Sequence, residues 1–186
     1  MSEILQPGDR LIYKGHLTLV HREFRDKPFD VILSKDACCI MYIDPEDHVY
    51  FIRQYRVPMG KEILELPAET MDKPGLTSLE VIVEGLEEEC GIKISPSQVH
   101  YFTTIGSSEG HDSEMVDLFY AYGPNKYVGQ RLEDTEKINV VRIPFMDAYQ
   151  MMLRGEIQGG KAVPLLQHEY IKRMEESYGP IHGGEP

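Results

Sequence analysis

The stretch VEGLEEECGI, residues 83 to 92, sets Glu84, Glu87, Glu88 and Glu89 around Gly85. Carboxylates at that density do one of two things. They decorate a solvated helix face, which is common in an acidic chain, or they hold a hard divalent cation through oxygen, for which Mg2+ is the natural ion and Mn2+ its substitute. At about 100° per residue, Leu79, Ile82, Val83, Leu86 and Cys90 share one helix face, the expected core stripe, while Glu80, Glu84, Glu87 and Glu88 spread over the opposite side. Glu89 falls at the edge of the stripe beside Ile82, where a carboxylate is partly desolvated unless a positive group meets it.

Other residue types with chemistry lie outside this helix. Arg53 and Arg56 in RQYR are read as lying on one face of a strand and able to reach one ligand, with an ion pair from Arg56 to Glu62 or Glu65 as the structural alternative. His111 lacks a companion histidine at metal spacing and is expected to be a substrate-side contact rather than a ligand. QGGK is too short for a phosphate-binding loop, and HEYIK lacks the second histidine of a zinc protease motif.

The elements that must position these groups follow from periodicity and turn residues. RLIYKG and HLTLVHREF read as a hairpin about Lys14-Gly15, followed by strands at FDVILS, ACCIMYID and VYFIRQYRV, with turns at DKP and DPEDH. After EILELPAE and a loop, Thr77 and Glu80 form a capping box that opens a helix ending near Gly91. Strands follow at VHYFTTIG, MVDLFYAYG and INVVRI, and helices at PFMDAYQMMLRGEI and VPLLQHEYIKRMEESYG. Strands, one helix, strands and then helices predict a mixed sheet with helices packed on it, not a doubly wound parallel one.

The totals narrow the class. The 186 residues suit one domain, and a formal net charge of −12 with no Lys/Arg stripe argues against a nucleic-acid or membrane-surface partner. No apolar run suits a membrane span, and MSEILQPGDR does not read as a secretory signal, so a cytoplasmic setting is expected. Cys38, Cys39 and Cys90 have no metal-site spacing and are read as reduced structural thiols.

The span ELPAETMDKPGLTSLEVIVEGLEEECGI resembles the signature of the Nudix hydrolases, in which a strand, a loop and a helix carry a Gly, a Glu, an Arg-Glu pair and a closing Glu-Glu-x-Gly. Glu88, Glu89, Cys90 and Gly91 match that ending. FIRQYRVPMGKEILELPA is similar to the strand and turn of the ADP-ribose and nucleotide-sugar pyrophosphatase branch, and LFYAYG, RLEDTEKINVVRIP and MMLRGEI fit its later segments. Two positions depart from the pattern. Glu69 stands where the family has Gly, and Glu84-Gly85 where it has Arg-Glu, so one of two metal carboxylates a helical turn apart is missing at Gly85. Glu84 points about 100° away and stacks on Glu88 rather than Glu89.

The resemblance implies an α+β Nudix fold, a mixed β-sheet sandwiched between helices (α/β/α), with an N-terminal antiparallel strand arm over residues 1–35 in a homodimer interface, a catalytic domain over 36–176 and a flexible tail over 177–186. It implies Mg2+ held by the Ala68 carbonyl, Glu88 and Glu89, with Glu84 in an outer role. Glu136, then Glu133, in the acidic loop would be the base, and Arg56, Arg53, Glu114 and His111 would meet substrate. Tyr13, Phe24 and Phe29 could stack on a base or serve as core. The implied reaction is hydrolysis of a nucleoside diphosphate sugar such as ADP-ribose, ADP-glucose or UDP-glucose. The alternative is an impaired Nudix-fold module that binds or senses a nucleotide sugar.

Overall fold

The computed structural model describes residues 5–15, 17–132 and 137–179. Its first three strands, β1 (Arg10–Lys14), β2 (Thr18–Phe24) and β3 (Lys27–Leu33), form a separate antiparallel sheet in the order β1-β2-β3. The hairpin between β2 and β3 turns through Arg25 and Asp26, both at positive φ. This is the expected arm. It is tied to the rest where Ile32 donates its N–H to the His111 carbonyl at 2.7 Å and accepts from the Ser113 N–H at 3.0 Å.

The main sheet follows from β4 (Ala37–Ile43), β5 (His48–Arg56), β6 (Lys61–Glu65), β7 (Ala68–Thr70), and then, beyond helix α1 (Ser78–Cys90) and the short β8 (Ile92–Lys93), β9 (Val99–Gly106) and β10 (Met115–Tyr122). The two-residue β11 (Lys126–Tyr127) pairs with β8, and β12 (Ile138–Pro144) completes the sheet before helices α2 (Phe145–Leu153) and α3 (Ala162–Tyr178). The path runs β12-β5-β4-β10-β9, with β10 parallel to β4 and the other pairings on this path antiparallel. The sheet is therefore mixed, as expected.

Every residue of β4 is buried, the mark of a strand covered on both faces. On one face Cys39, Met41, Val49 and Phe51 pack with Phe145, Ala148, Leu165 and Leu166 of α2 and α3. On the other, Cys38, Ile40, Tyr42 and Ile52 pack with Val81, Ile82 and Leu86 of α1. Helices thus cover both faces. No helix of the described residues is long and apolar enough to cross a membrane.

One irregularity makes room for a site. β4 and β5 pair only at Ile43↔Val49 and then diverge. The returning chain fills the split, first as β6 against β5, then as β7 against β4.

Candidate active site

α1 starts where the sequence places it, with Thr77 Oγ1 accepting the Glu80 N–H and Glu80 accepting the Thr77 N–H at 2.8 Å, and it ends at Gly91 in the left-handed region. Its buried residues are Val81, Ile82, Gly85, Leu86, Glu89 and Cys90. The stripe is thus turned from the expected one, with Leu79 and Val83 only partly buried. The turn is toward β7, so Gly85 and Glu89 face that strand rather than water.

Glu69 meets them. Its Cα partner across the ladder is Cys38, directly opposed residues share a sheet face, and Cys38 belongs to the core beneath α1. Glu69 is thereby aimed at the helix. A Cβ built on Gly85 would lie 2.6 Å from Glu69 Cδ and closer still to Cγ and Oε1. The side chain of Glu69 therefore fills the volume that any residue larger than glycine at 85 would need. One turn on, Glu89 accepts the Ala68 N–H through Oε2 at 3.3 Å.

These groups open into a polar cleft of about 470 Å³ lined by Gln54, Arg56, Ala68, Glu69, Thr70, Asp72, Lys73, Glu88, Glu89 and Arg131. A second, more apolar cavity of about 420 Å³ is lined by residues that include Arg56, Ile63, Glu65, Leu66, Ile105, Glu114 and Lys161. Arg56 alone borders both. Its Nε donates to Glu65 Oε1 at 2.7 Å, so the ion pair offered as the structural alternative is present. A guanidinium anchored through Nε keeps its terminal nitrogens as a fork suited to phosphate.

The Lys73 ammonium lies 2.9 Å from Glu84 and 3.4 Å from Glu88. Burial works against this charge, but the hydrogen bond to Glu84 and the Glu88 carboxylate outweigh it and hold the lysine pKa above its ordinary value. Arg131 joins the rim, its guanidinium 3.2 Å from Glu87 and 3.9 Å from Glu88, and its N–H donates to the Glu88 carbonyl at 2.9 Å.

Among the expected site residues, Ala68, Glu88, Glu89 and Arg56 share the polar cleft, and Glu114 lines the neighbouring cavity. Three others stand elsewhere. Glu84 does stack toward Glu88, but it is held by Lys73 and does not line the cleft. Arg53 is exposed and lines neither cavity, because side chains alternate faces along a strand and a step of three residues from Arg56 reverses the face. His111 is exposed in the loop under the arm, with Nε2 3.1 Å from Ser108 Oγ, and also lines neither. Glu133 and Glu136 lie outside the described residues. Sequence reasoning missed Lys73 and Arg131 as cleft cations, although both stand in polar loops flanking the quoted motifs. It also recorded Glu69 and Gly85 as separate departures, where their complementary identities were the available signal.

The residues fit a hard divalent cation. Four carboxylate side chains, Glu69, Asp72, Glu88 and Glu89, line the cleft together with Ala68, and the space at Gly85 is a cradle filled by a carboxylate instead of an apolar group. Among the described residues, the one trio of ligating groups with atoms all within 4.8 Å of one another is Asp44, Glu46 and His48, at the β4–β5 turn. There Asp44 Oδ1 accepts the N–H groups of Glu46 and His48, and Arg142 pairs with Asp44 and Glu46, which closes the turn. The carboxylates of the cleft are more widely spread than that trio.

No family model matches the chain. It is 32% identical over 149 residues to a GDP-mannose pyrophosphatase of Enterobacter sp. strain 638, covering 74% of each chain. An ADP-ribose pyrophosphatase of Haemophilus influenzae is 27% identical over 182 residues, 86% of this chain and 82% of that one. A crystal structure of an ADP compounds hydrolase shares the fold with a TM-score of 0.72 over 93% of this chain and 98% of that chain, at 18% identity.

Proposed function

The chain belongs to the Nudix family, in its nucleoside diphosphate sugar pyrophosphatase branch, and from that premise we propose that it hydrolyses the diphosphate bond of a nucleoside diphosphate sugar. Substrates of the ADP-ribose, ADP-glucose or UDP-glucose type would give a nucleoside monophosphate and a sugar phosphate. The observation that carries this reading is the position of Arg56, between an oxygen-rich cleft and a more apolar cavity. A substrate with a diphosphate in its middle and a less charged group at its end matches that layout.

Glu88, Glu89 and the Ala68 carbonyl are the proposed holders of Mg2+, for which Mn2+ can substitute. When bound, the ion supplies positive charge against the diphosphate and polarises its oxygens. Arg56 grips the diphosphate and fixes its position relative to the attacking water. Water adds one oxygen to phosphorus, the bridging oxygen leaves with the other phosphate, and a carboxylate takes the proton. Glu136, with Glu133 next, is proposed for that last role; in the sequence both follow Arg131, which lines the cleft. Glu114 is proposed to meet the substrate from the second cavity.

The reading as an impaired binding module rested on the carboxylate missing at Gly85, and Glu69 occupies that space. A homodimer through the N-terminal arm is further proposed, supported by exposed Leu11, Tyr13, Phe24 and Phe29 on β1–β3. The three free buried cysteines suit a reducing cytoplasmic setting. Incubation of purified protein with excess Mg2+ and a panel of nucleotide sugars tests the activity. Release of a nucleoside monophosphate from at least one is expected, and none from any would refute the proposal.

A further inference from the structure

We propose that Glu69 supplies the cation-binding carboxylate that α1 lacks at Gly85, the acid having been transposed from the helix to the facing strand; this rests on the function proposed above. A cation responds to where oxygens lie, whichever segment supplies them. A glutamate at 85 would reach from α1 toward β7, and Glu69 reaches from β7 toward α1, so both project a carboxylate into one gap. The overlap between Glu69 and a Cβ on Gly85 shows that the gap is shared. Glu69 then lines the cleft with Glu88 and Glu89.

Its backbone is held in place. The strand pairs Ala37↔Thr70, Cys38↔Glu69 and Cys39↔Ala68, and Cys38 Sγ donates to the Glu69 carbonyl at 3.6 Å. Glycine at 85 leaves room for this arrangement, since a Cβ there would push the Glu69 side chain aside. The two departures from the family pattern are in this view one change in two places.

The test is binding of Mn2+ without substrate, read from the paramagnetic resonance signal of the free ion, together with thermal melting to establish folding. Glu69→Gln, nearly isosteric and at a half-buried position, should weaken binding at least about 10-fold, the lower end of what even an outer-shell partner contributes. Gly85→Glu alone should weaken it too, because two glutamates then contend for one volume. Combining Glu69→Gly with Gly85→Glu should restore binding to within a few-fold of wild type. Wild-type binding by Glu69→Gln, a double variant no better than Glu69→Gln, or a wild-type protein that binds no Mn2+ would each overturn the proposal. A wild type that binds Mn2+ through Glu69 yet cleaves no nucleotide sugar would sink the proposed function and leave this inference standing. Unchanged Mn2+ binding with full hydrolysis by Glu69→Gln would do the reverse.

Discussion

Lys73 holds Glu84 at 2.9 Å, so the loop that precedes α1 is tied to the outer face of that helix, beside the cleft. The same ammonium lies 3.4 Å from Glu88, a proposed ligand. A lysine and a dication compete for one carboxylate. Lys73→Met is therefore expected to raise Mn2+ affinity several-fold, in calorimetric titration at low salt, and lower affinity in the variant would contradict the assignment of Glu88.

Arg56 and Arg53 give a paired prediction. Removing the Arg56 fork takes away charged hydrogen bonds of about 1.5–3 kcal/mol, on the order of 10- to 100-fold in KM for a nucleotide sugar. Arg56→Lys should recover little, because an ammonium is a point charge without the rigid planar fork that sets two donors side by side against phosphate. Arg53→Ala should leave KM close to wild type, and an equal loss from both alanine variants would rule out this division of roles.

A second pair separates packing from helix propensity. In a Glu69→Ala background the space beside Gly85 is cleared, and Gly85→Ala should stabilise the fold by about 1 kcal/mol in urea denaturation. With Glu69 retained the gain should shrink or reverse. Equal effects in the two backgrounds would mean that residues 69 and 85 do not share a volume.

The thiols give a pH dependence. Burial pushes Cys38 and Cys39 up to about 12, and burial raises Cys90 as well. Unfolded thiols ionise at about 8.5. Between these values the unfolded chain holds fewer protons than the folded one, so stability falls as pH rises. The contribution is fully present below the unfolded value and is lost toward pH 12 for Cys38 and Cys39. Ellman's reagent at mildly alkaline pH should label the native protein slowly and the urea-unfolded protein at once. Cys39→Ala should flatten the alkaline loss of stability, and an unchanged slope would contradict the role given to burial.

Much of the fold is written in local pattern. The Thr77–Glu80 box and Gly91 bound α1 as read, and β2, β4, β9 and β10 lie in the expected stretches. Their alternating or continuous apolar residues are local signals. β8 and β11, two residues each, are too short to carry a period. The divergence of β4 from β5 after Ile43↔Val49 is a tertiary event, decided by where β6 and β7 return. Arg53 is a different case, because strand parity, which the sequence itself carries, separates it from Arg56. Glu88 and Glu89 were legible as an acidic pair. The reach of Lys73 across its loop, and of Glu69 to Gly85, depends on side-chain paths that spacing along a helix does not encode.

The reciprocity of Glu69 and Gly85 also bears on descent. A chain with glutamate at both places would be crowded, and one with glycine at both would lack a carboxylate in that gap, so on the proposal above the two workable states are separated by poorer neighbours. Relatives are then expected to carry Glu with Gly or Gly with Glu at these two positions, and an aligned set of relatives in which the two vary independently would contradict this.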